Sequence, residues 1–401
     1  MKKKLNSRTI FIIANSSWYI NHYRKYLLKE LKRLDLYNVV TISPYDNYSK
    51  YLSKLSLNIP WRISRSGNKN LFQIIFSLVR LIFIFRSLKP KIVHSHTLKT
   101  NFLTSITSFI FGTQCIISFA GLGQISNSKG IKKLIFILIV KIIGFLSYRE
   151  IKNQYISNNK KRTAFIFQNR NDMKFIKKII KIPPSRSHLI LGSGLPNYFL
   201  EKSNPNDWIT PMNNWLEKET IFFNLIYLGR LLKSKGILTF IEIANLFDES
   251  YSSIYGSIDS SSNDSLTKSD LKKLNKKNKN ITFKGFIKDP LLNNNSNYPI
   301  LVVPSTYGEG LPRGIIEALA LRIPVVCSKK ATCNLFDQSL LYISADSDLI
   351  SYKNCITRIF KDYKEGRLKN KLNDGKKYVE ENLLESKIVE QTISVYYQME
   401  K

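Results

Sequence analysis

Acidic residues are scarce in the first half of this chain. Residues 1–200 hold 5 Asp and Glu against 34 Lys and Arg, a net +29, whereas residues 201–401 hold 24 against 28, a net +4. A field of that sign in one half draws a polyanion: nucleic acid, an anionic lipid surface or a phosphorylated substrate. Lysines spread over a solvated surface explain many of the cations but not the missing acids of one half. Cysteine is sparse as well. Cys115, Cys327, Cys333 and Cys355 form no C-x-x-C and do not sit in a short secreted frame, which excludes a disulfide scaffold and a zinc ribbon and fits a reducing cytoplasm. There are 4 histidines and no H-E-x-x-H, so the commonest helix-borne zinc site is missing.

Long uninterrupted apolar runs are also lacking. Residues 71–88 contain Arg80 and Arg86; residues 134–146 are cut by Lys141 and preceded by Lys132 and Lys133. Neither offers the roughly 20 apolar residues of a membrane span. The basic residues 2–4 lead into a strand pattern, not into the apolar core of a signal peptide. These features predict a protein kept inside the cell. A very apolar, basic helix short of a full span suits a bilayer interface or a buried core position, and both stay open for residues 134–146.

What is present is enough for two domains: 401 residues, 43% hydrophobic. Short β-rich runs alternate with longer helical ones, the pattern of a parallel sheet with crossover helices. Strands are predicted at 9–15, 38–43, 91–96, 115–119, 163–169 and 188–193, and in the second half at 222–229, 281–286, 300–305 and 323–328. Helices are predicted near 237–247 and 313–321. Between the halves, residues 195–219 are rich in Pro and Asn and lack a period, so they read as a linker. The expected division is a first domain over 1–200, a linker over 201–218, a second domain over 219–385 and a closing amphipathic helix over 386–401. Open α/β sheets bind ligands at the carboxyl ends of their strands, so a ligand cleft is expected between the two sheets. Residues 257–280 are polar and low in complexity; they read as a surface loop and a solvated helix without chemistry.

The densest group of chemical signals is PSTYGEGLPRGIIEALALRIPVV, residues 304–326. It follows a strand and opens a helix. Gly308, Gly310 and Pro312 shape a turn that leaves the N–H groups of Gly310 and Leu311 at a helix N-terminus, where the dipole favours phosphate. Glu309 and Glu317 can meet a hydroxylated group and a ribose diol; the plain alternative is an N-cap and a solvated helix residue. Upstream, LIYLGRLLKSKGI (225–237) places Arg230 and Lys235 between a strand and a helix, where both can neutralise a diphosphate. His94 and His96 share one face of a strand end but have no Asp, Cys or Glu beside them to complete a metal site.

Taken together, G-R-L-x3-K-G and P-S-x3-E-G-x-P-x4-E-A resemble the signatures of the family 4 glycosyltransferases of the GT-B fold. WYINHYRKYLLKELK, RSGNKN (65–70), KIVHSHTLKTN, FAGLGQIS (119–126) and IFQNRNDMKF are similar to the bacterial branch that builds surface polysaccharide on a polyprenyl diphosphate. The resemblance implies two Rossmann-like doubly wound parallel sheets facing a central cleft. It also implies Arg230 and Lys235 on the donor diphosphate, Glu317 on ribose, Glu309 on the transferred sugar and the H-x-H histidine, His96, touching that sugar. Transfer would proceed with retention, from a UDP-linked sugar to a polyprenyl-diphosphate-linked saccharide, without metal or other cofactor, at the cytoplasmic face of an anionic membrane and without nucleic acid. A catalytically inactive scaffold of the same fold and a basic nucleic-acid-binding protein are the alternatives; the latter lacks a legible recognition helix or stacking platform. The sequence departs from the family where a glycine is replaced by Arg322, which costs about 1 kcal/mol if the position is left-handed. It departs again at residues 329–334, usually glycine and acidic, and at residues 15–21, which lack glycine.

Overall fold

A computed structural model describes residues 8–63, 71–122, 130–156, 163–201, 208, 222–248, 250–260, 262–293, 298–306, 310–345 and 348–400. The chain divides into two compact units, Met1–Gly194 with Glu385–Lys401, and Leu195–Leu384.

The first unit runs β1 (Thr9–Ile13), α1 (Ser17–Tyr23), α2 (Lys25–Arg33), β2 (Asn38–Ser43), α3 (Ser49–Ser53), β3 (Leu57–Pro60) and α4 (Leu71–Leu88). It continues with β4 (Ile92–His96), α5 (Leu98–Phe111), β5 (Gln114–Phe119), α6 (Ile131–Ile156), β6 (Thr163–Phe167), α7 (Arg170–Ile179) and β7 (Ser187–Leu189). Its seven strands are parallel, in the order β3-β2-β1-β4-β5-β6-β7. The central strands read as continuous apolar runs, with every residue of TIFII in β1 buried, because helices cover both faces. Phe11 and Ile13 pack with Leu81 and Phe85 of α4, while Ile10 and Ile12 face Leu27 and Leu31 of α2.

The second unit runs α8 (Tyr198–Glu201), β8 (Phe223–Leu228), α9 (Ile237–Ala244), β9 (Ser250–Tyr255), α10 (Lys268–Lys277) and β10 (Ile281–Gly285). There follow β11 (Pro299–Val303), α11 (Arg313–Ala320), β12 (Val325–Ser328), β13 (Tyr342–Ser344), α12 (Leu349–Lys364) and α13 (Arg367–Asn382). Its six-stranded parallel sheet has the order β10-β9-β8-β11-β12-β13. The chain then returns to the first unit as α14 (Glu385–Glu400), whose Ile388, Val389, Ile393, Tyr396 and Met399 complete the core on the Ile10 side of the first sheet. The fold is GT-B: two doubly wound parallel sheets, as the sequence predicts.

The strand order changes direction between β1 and β4 in the first sheet and between β8 and β11 in the second, and ligands of such sheets bind at the carboxyl ends beside these switch points. Several elements were not predicted. β9 (SYSSIY) is half serine and β3 and β13 are four and three residues long, so none carries a clear apolar run. Residues 349–382 form two helices whose inward faces are sparse, with Tyr352, Ile356 and Ile359 at helical spacing in a polar background. α6 has a buried and an exposed apolar side: Phe136, Val140 and Ile143 are buried, while Ile131, Leu134, Ile135, Leu138 and Phe145 are exposed.

Candidate functional site

In the second unit the two sequence motifs meet through backbone. β8 ends at Leu228 and passes through Gly229 and Arg230 into a short 3-10 turn, Lys233–Lys235, before Gly236 and α9. Gly236 has φ +77°, and a Cβ there would lie 2.1 Å from the carbonyl oxygen of Pro304. Only glycine lets this turn approach the end of β11 so closely. Thr306 closes the junction, its N–H and Oγ1 each donating to the Ser234 carbonyl at 2.9 Å. The G-R-L-x3-K-G turn and the P-S turn are therefore one structure, at the switch point between β8 and β11.

Arg230 is half-exposed and donates to Asp259 at 2.7 Å. Asp264 accepts the Ser234 N–H at 3.1 Å and also the Ser234 hydroxyl. Both acids lie in the polar segment read as a surface loop and a solvated helix; α10 is that helix, with no buried residue, and the loop before it braces the cationic turn. The Lys235 side chain folds over Gly229, its Nζ 3.7 Å from where a Cβ would stand. Glu309 and its two preceding neighbours lie outside the described residues, as do RSGNKN and all but the first residues of FAGLGQIS. Gly310 and Leu311 lead into α11, whose N-cap is Pro312 and offers no side-chain acceptor to the first turn.

Glu317, on the first turns of α11, is 5% exposed, which excludes the solvated reading. Arg313, one turn earlier, donates to it from Nε at 2.7 Å. Burial pushes the Glu317 carboxyl up, Arg313 pulls it back, and Asp289 adds to the rise. Nearby the Tyr198 hydroxyl donates to Asp289 at 2.8 Å. Arg313, Asp289 and Tyr198 were not singled out in the sequence, although the Arg313 to Glu317 spacing on a helix was readable as an i,i+4 pair. The replaced glycine is left-handed as expected, with Arg322 at φ +58°. The altered loop after β12 takes the same conformation twice, at Cys333 (φ +55°) and Asn334 (φ +52°).

In the first unit His94 and His96 end β4. His94 is held from both sides, by Tyr396 Oη at 2.7 Å and Ser118 Oγ at 2.6 Å. His96 is fully buried and neither ring nitrogen has a hydrogen-bond partner among the described residues. Burial keeps both imidazoles neutral. Thr97, the next residue, has φ +79° and ψ 148°, a region otherwise almost reserved for glycine that costs a β-branched residue about 1 to 3 kcal/mol. Among the described residues no three His, Cys, Asp or Glu side chains cluster as a metal site requires.

Residues 223–362 match the family described as Glycosyl transferases group 1. Over 272 residues the chain is 27% identical to the capsular polysaccharide biosynthesis glycosyltransferase CapM of Staphylococcus aureus, a match covering 64% of this chain and 63% of CapM. Among solved structures, a glycosyltransferase from Rickettsia africae superposes with a TM-score of 0.74 at 16% identity, covering 99% of each chain. HepE of Anabaena in complex with UDP-glucose gives 0.71 at 14% identity, covering 97% of this chain and 99% of that one. The match to the glycosyl transferases group 1 model lies within the second unit, and the superpositions show that the chain shares the GT-B fold of these structures.

Proposed function

We propose that this chain transfers a sugar, with retention, from a UDP-linked donor to a polyprenyl-diphosphate-linked saccharide in the assembly of a bacterial surface polysaccharide. The observation that supports this reading is the joining of the two motifs at Gly236 and Pro304, at the switch point between β8 and β11. Arg230 and Lys235 neutralise the donor diphosphate, the N–H groups of Gly310 and Leu311 meet phosphate oxygens, and Glu317 accepts from the ribose hydroxyls. Glu309 and His96 address the transferred sugar. The rate gain comes from cations already in place to stabilise the leaving diphosphate while the acceptor hydroxyl attacks on the same face, with no metal required. CapM, named for capsular polysaccharide biosynthesis, and HepE, solved with UDP-glucose, favour the polymer class and the nucleotide.

The acceptor's lipid is met by the first unit at the cytoplasmic membrane face. From Asn47 to Arg149 the sequence contains no Asp or Glu and 15 Lys and Arg. The same stretch exposes Phe72, Phe76 and Phe83 on α4 and Ile131, Leu134 and Leu138 on α6, beside exposed Lys132, Lys133 and Lys141. Among the described residues no helix is long and apolar enough to cross a membrane, so this surface acts by interfacial adsorption. Incubation with radiolabelled UDP-sugars and lipid-linked acceptor tests the activity: transfer from one donor is expected, and folded protein inert with every nucleotide-sugar would sink the reading. Replacing Lys132, Lys133 and Lys141 by Gln should release the protein from anionic vesicles while UDP binding persists; unchanged partitioning would remove α6 from the membrane contact.

A further inference from the structure

Arg24 stands at the junction of α1 and α2, is 7% exposed, and makes no ion pair with any described carboxylate. A guanidinium has five N–H donors, and burying its charge without an anion is strongly unfavourable. Here Nη1 donates to the Tyr23 carbonyl at 3.3 Å and Nη2 to Tyr19 Oη at 3.2 Å, while Nε has no partner. The Tyr19 ring also lies against His96, centroids 5.4 Å apart, so Tyr19 touches both groups. His96 leaves two further ring nitrogens unmatched, and the Asn21 side-chain oxygen is buried and unpaired two residues from Tyr19. Three orphaned polar atoms among the described residues, Arg24 Nε and both His96 ring nitrogens, thus belong to two residues that Tyr19 touches, next to the strained backbone of Thr97, at the switch point between β1 and β4. The neighbouring His94, by contrast, is matched at both ring nitrogens.

We propose that Arg24 and His96 form a binding site for one singly charged oxyanion group, a carboxylate or a phosphate borne by a sugar ligand, with the Tyr19 side chain as its movable cover. Charge balance sets the class: one guanidinium and one neutral imidazole match a single negative charge, and the planar fork of Arg24 pairs two oxygens at once. Neutral His96 supplies one donor to the same group. Rotation of Tyr19 away from its present contacts would expose both without backbone movement. That the anion belongs to a sugar rests on the glycosyltransferase reading; the anion site itself does not.

The test uses the full chain and three probes: UDP-glucuronate against UDP-glucose, which differ by one carboxylate, and inorganic phosphate. Thermal melting and calorimetric titration are read for wild type and for Arg24→Met. The proposal expects UDP-glucuronate to bind more tightly than UDP-glucose if the source is a sugar carboxylate, or inorganic phosphate to bind and stabilise if it is a phosphate. In either case Arg24→Met should weaken the anion-dependent part about tenfold or more. Ligand-free Arg24→Met should melt no lower than wild type, because an unmatched buried charge has been removed. A lower melting temperature for that variant, an anion response that survives it, or no anion response in wild type would each overturn the proposal. Wild type that fails to bind UDP at all would instead count against the glycosyltransferase reading.

Discussion

At the carboxyl edge of the second sheet, Arg230 faces Asp259, Glu317 faces Arg313 and Tyr198 faces Asp289. At the corresponding edge of the first sheet, Arg24 lies buried without a carboxylate and His96 without a hydrogen bond among the described residues. The first arrangement is stable when empty, because each polar group already has a partner, but a ligand must break those pairs and its affinity is reduced accordingly. The second is costly when empty and gains when filled, so occupancy and folding stability are linked there. Matched charges therefore mark an edge built to exchange partners repeatedly, and unmatched ones an edge whose integrity depends on what it holds.

The largest expected effect removes the junction that gives the second edge its geometry. Gly236→Ala forces a Cβ into the Pro304 carbonyl at a left-handed position and should cost about 3 kcal/mol or more, read as a lowered urea midpoint. An unchanged midpoint would mean the two turns do not depend on each other. Next, Glu317→Gln keeps the shape of the buried side chain but weakens its acceptor and its pairing with Arg313. UDP affinity should fall by about 1 to 3 kcal/mol, while Glu309→Ala should reduce turnover more than UDP affinity. Equal losses of affinity in both would contradict the division of roles.

A third test concerns one of the few acids of the first unit. Asp172 on α7 accepts from the Leu122 N–H at 3.0 Å and from Asn169 at 2.9 Å but pairs with no cation among the described residues, and burial pushes its carboxyl up to about 6. The folded state therefore holds a proton between pH 4 and pH 6 that the unfolded chain releases, and the stability this contributes is present at low pH and lost as pH rises through about 6. Between pH 8 and pH 5 the gain should be about 1 kcal/mol and absent in Asp172→Asn, whose amide oxygen can still accept both bonds; parallel pH profiles for the two proteins would argue against it. Smallest is Asp259→Asn. Releasing the half-exposed Arg230 should tighten UDP binding by roughly two- to fivefold, since such pairs are worth up to about 1 kcal/mol; weaker binding would make Asp259 a positioning group for Arg230 rather than its competitor.

The glycine and proline punctuation of the second unit was legible because Gly236 and Pro304 answer to backbone geometry alone, and so was the left-handed turn at Arg322, visible as a glycine position without glycine. Glu317 was legible by its spacing and Arg230 by its place after a strand. The acids that hold them were not. Asp259 and Asp264 sit in a serine-rich stretch with no period, and their partners are fixed only when the loop after β9 folds back over the turn after β8. Arg24 was hidden for the opposite reason: in a helix crowded with lysine and arginine, only the structure tells the one buried cation from the solvated ones.

Because α14 supplies Ile388, Ile393 and Tyr396 to the first unit, that unit's core is assembled from segments on either side of the second unit in the chain. During synthesis the helix emerges after every residue of Leu195–Leu384, so the second unit has all of its sequence available before the first can close. Until then the Ile10 side of the first sheet lacks the part of its cover that α14 supplies, and His94 lacks its tyrosine partner. A nascent chain of this protein thus leaves part of a sheet face open to chaperones for the whole time taken to make the second unit, and a stop before α14 would leave a finished second unit tethered to an unfinished first.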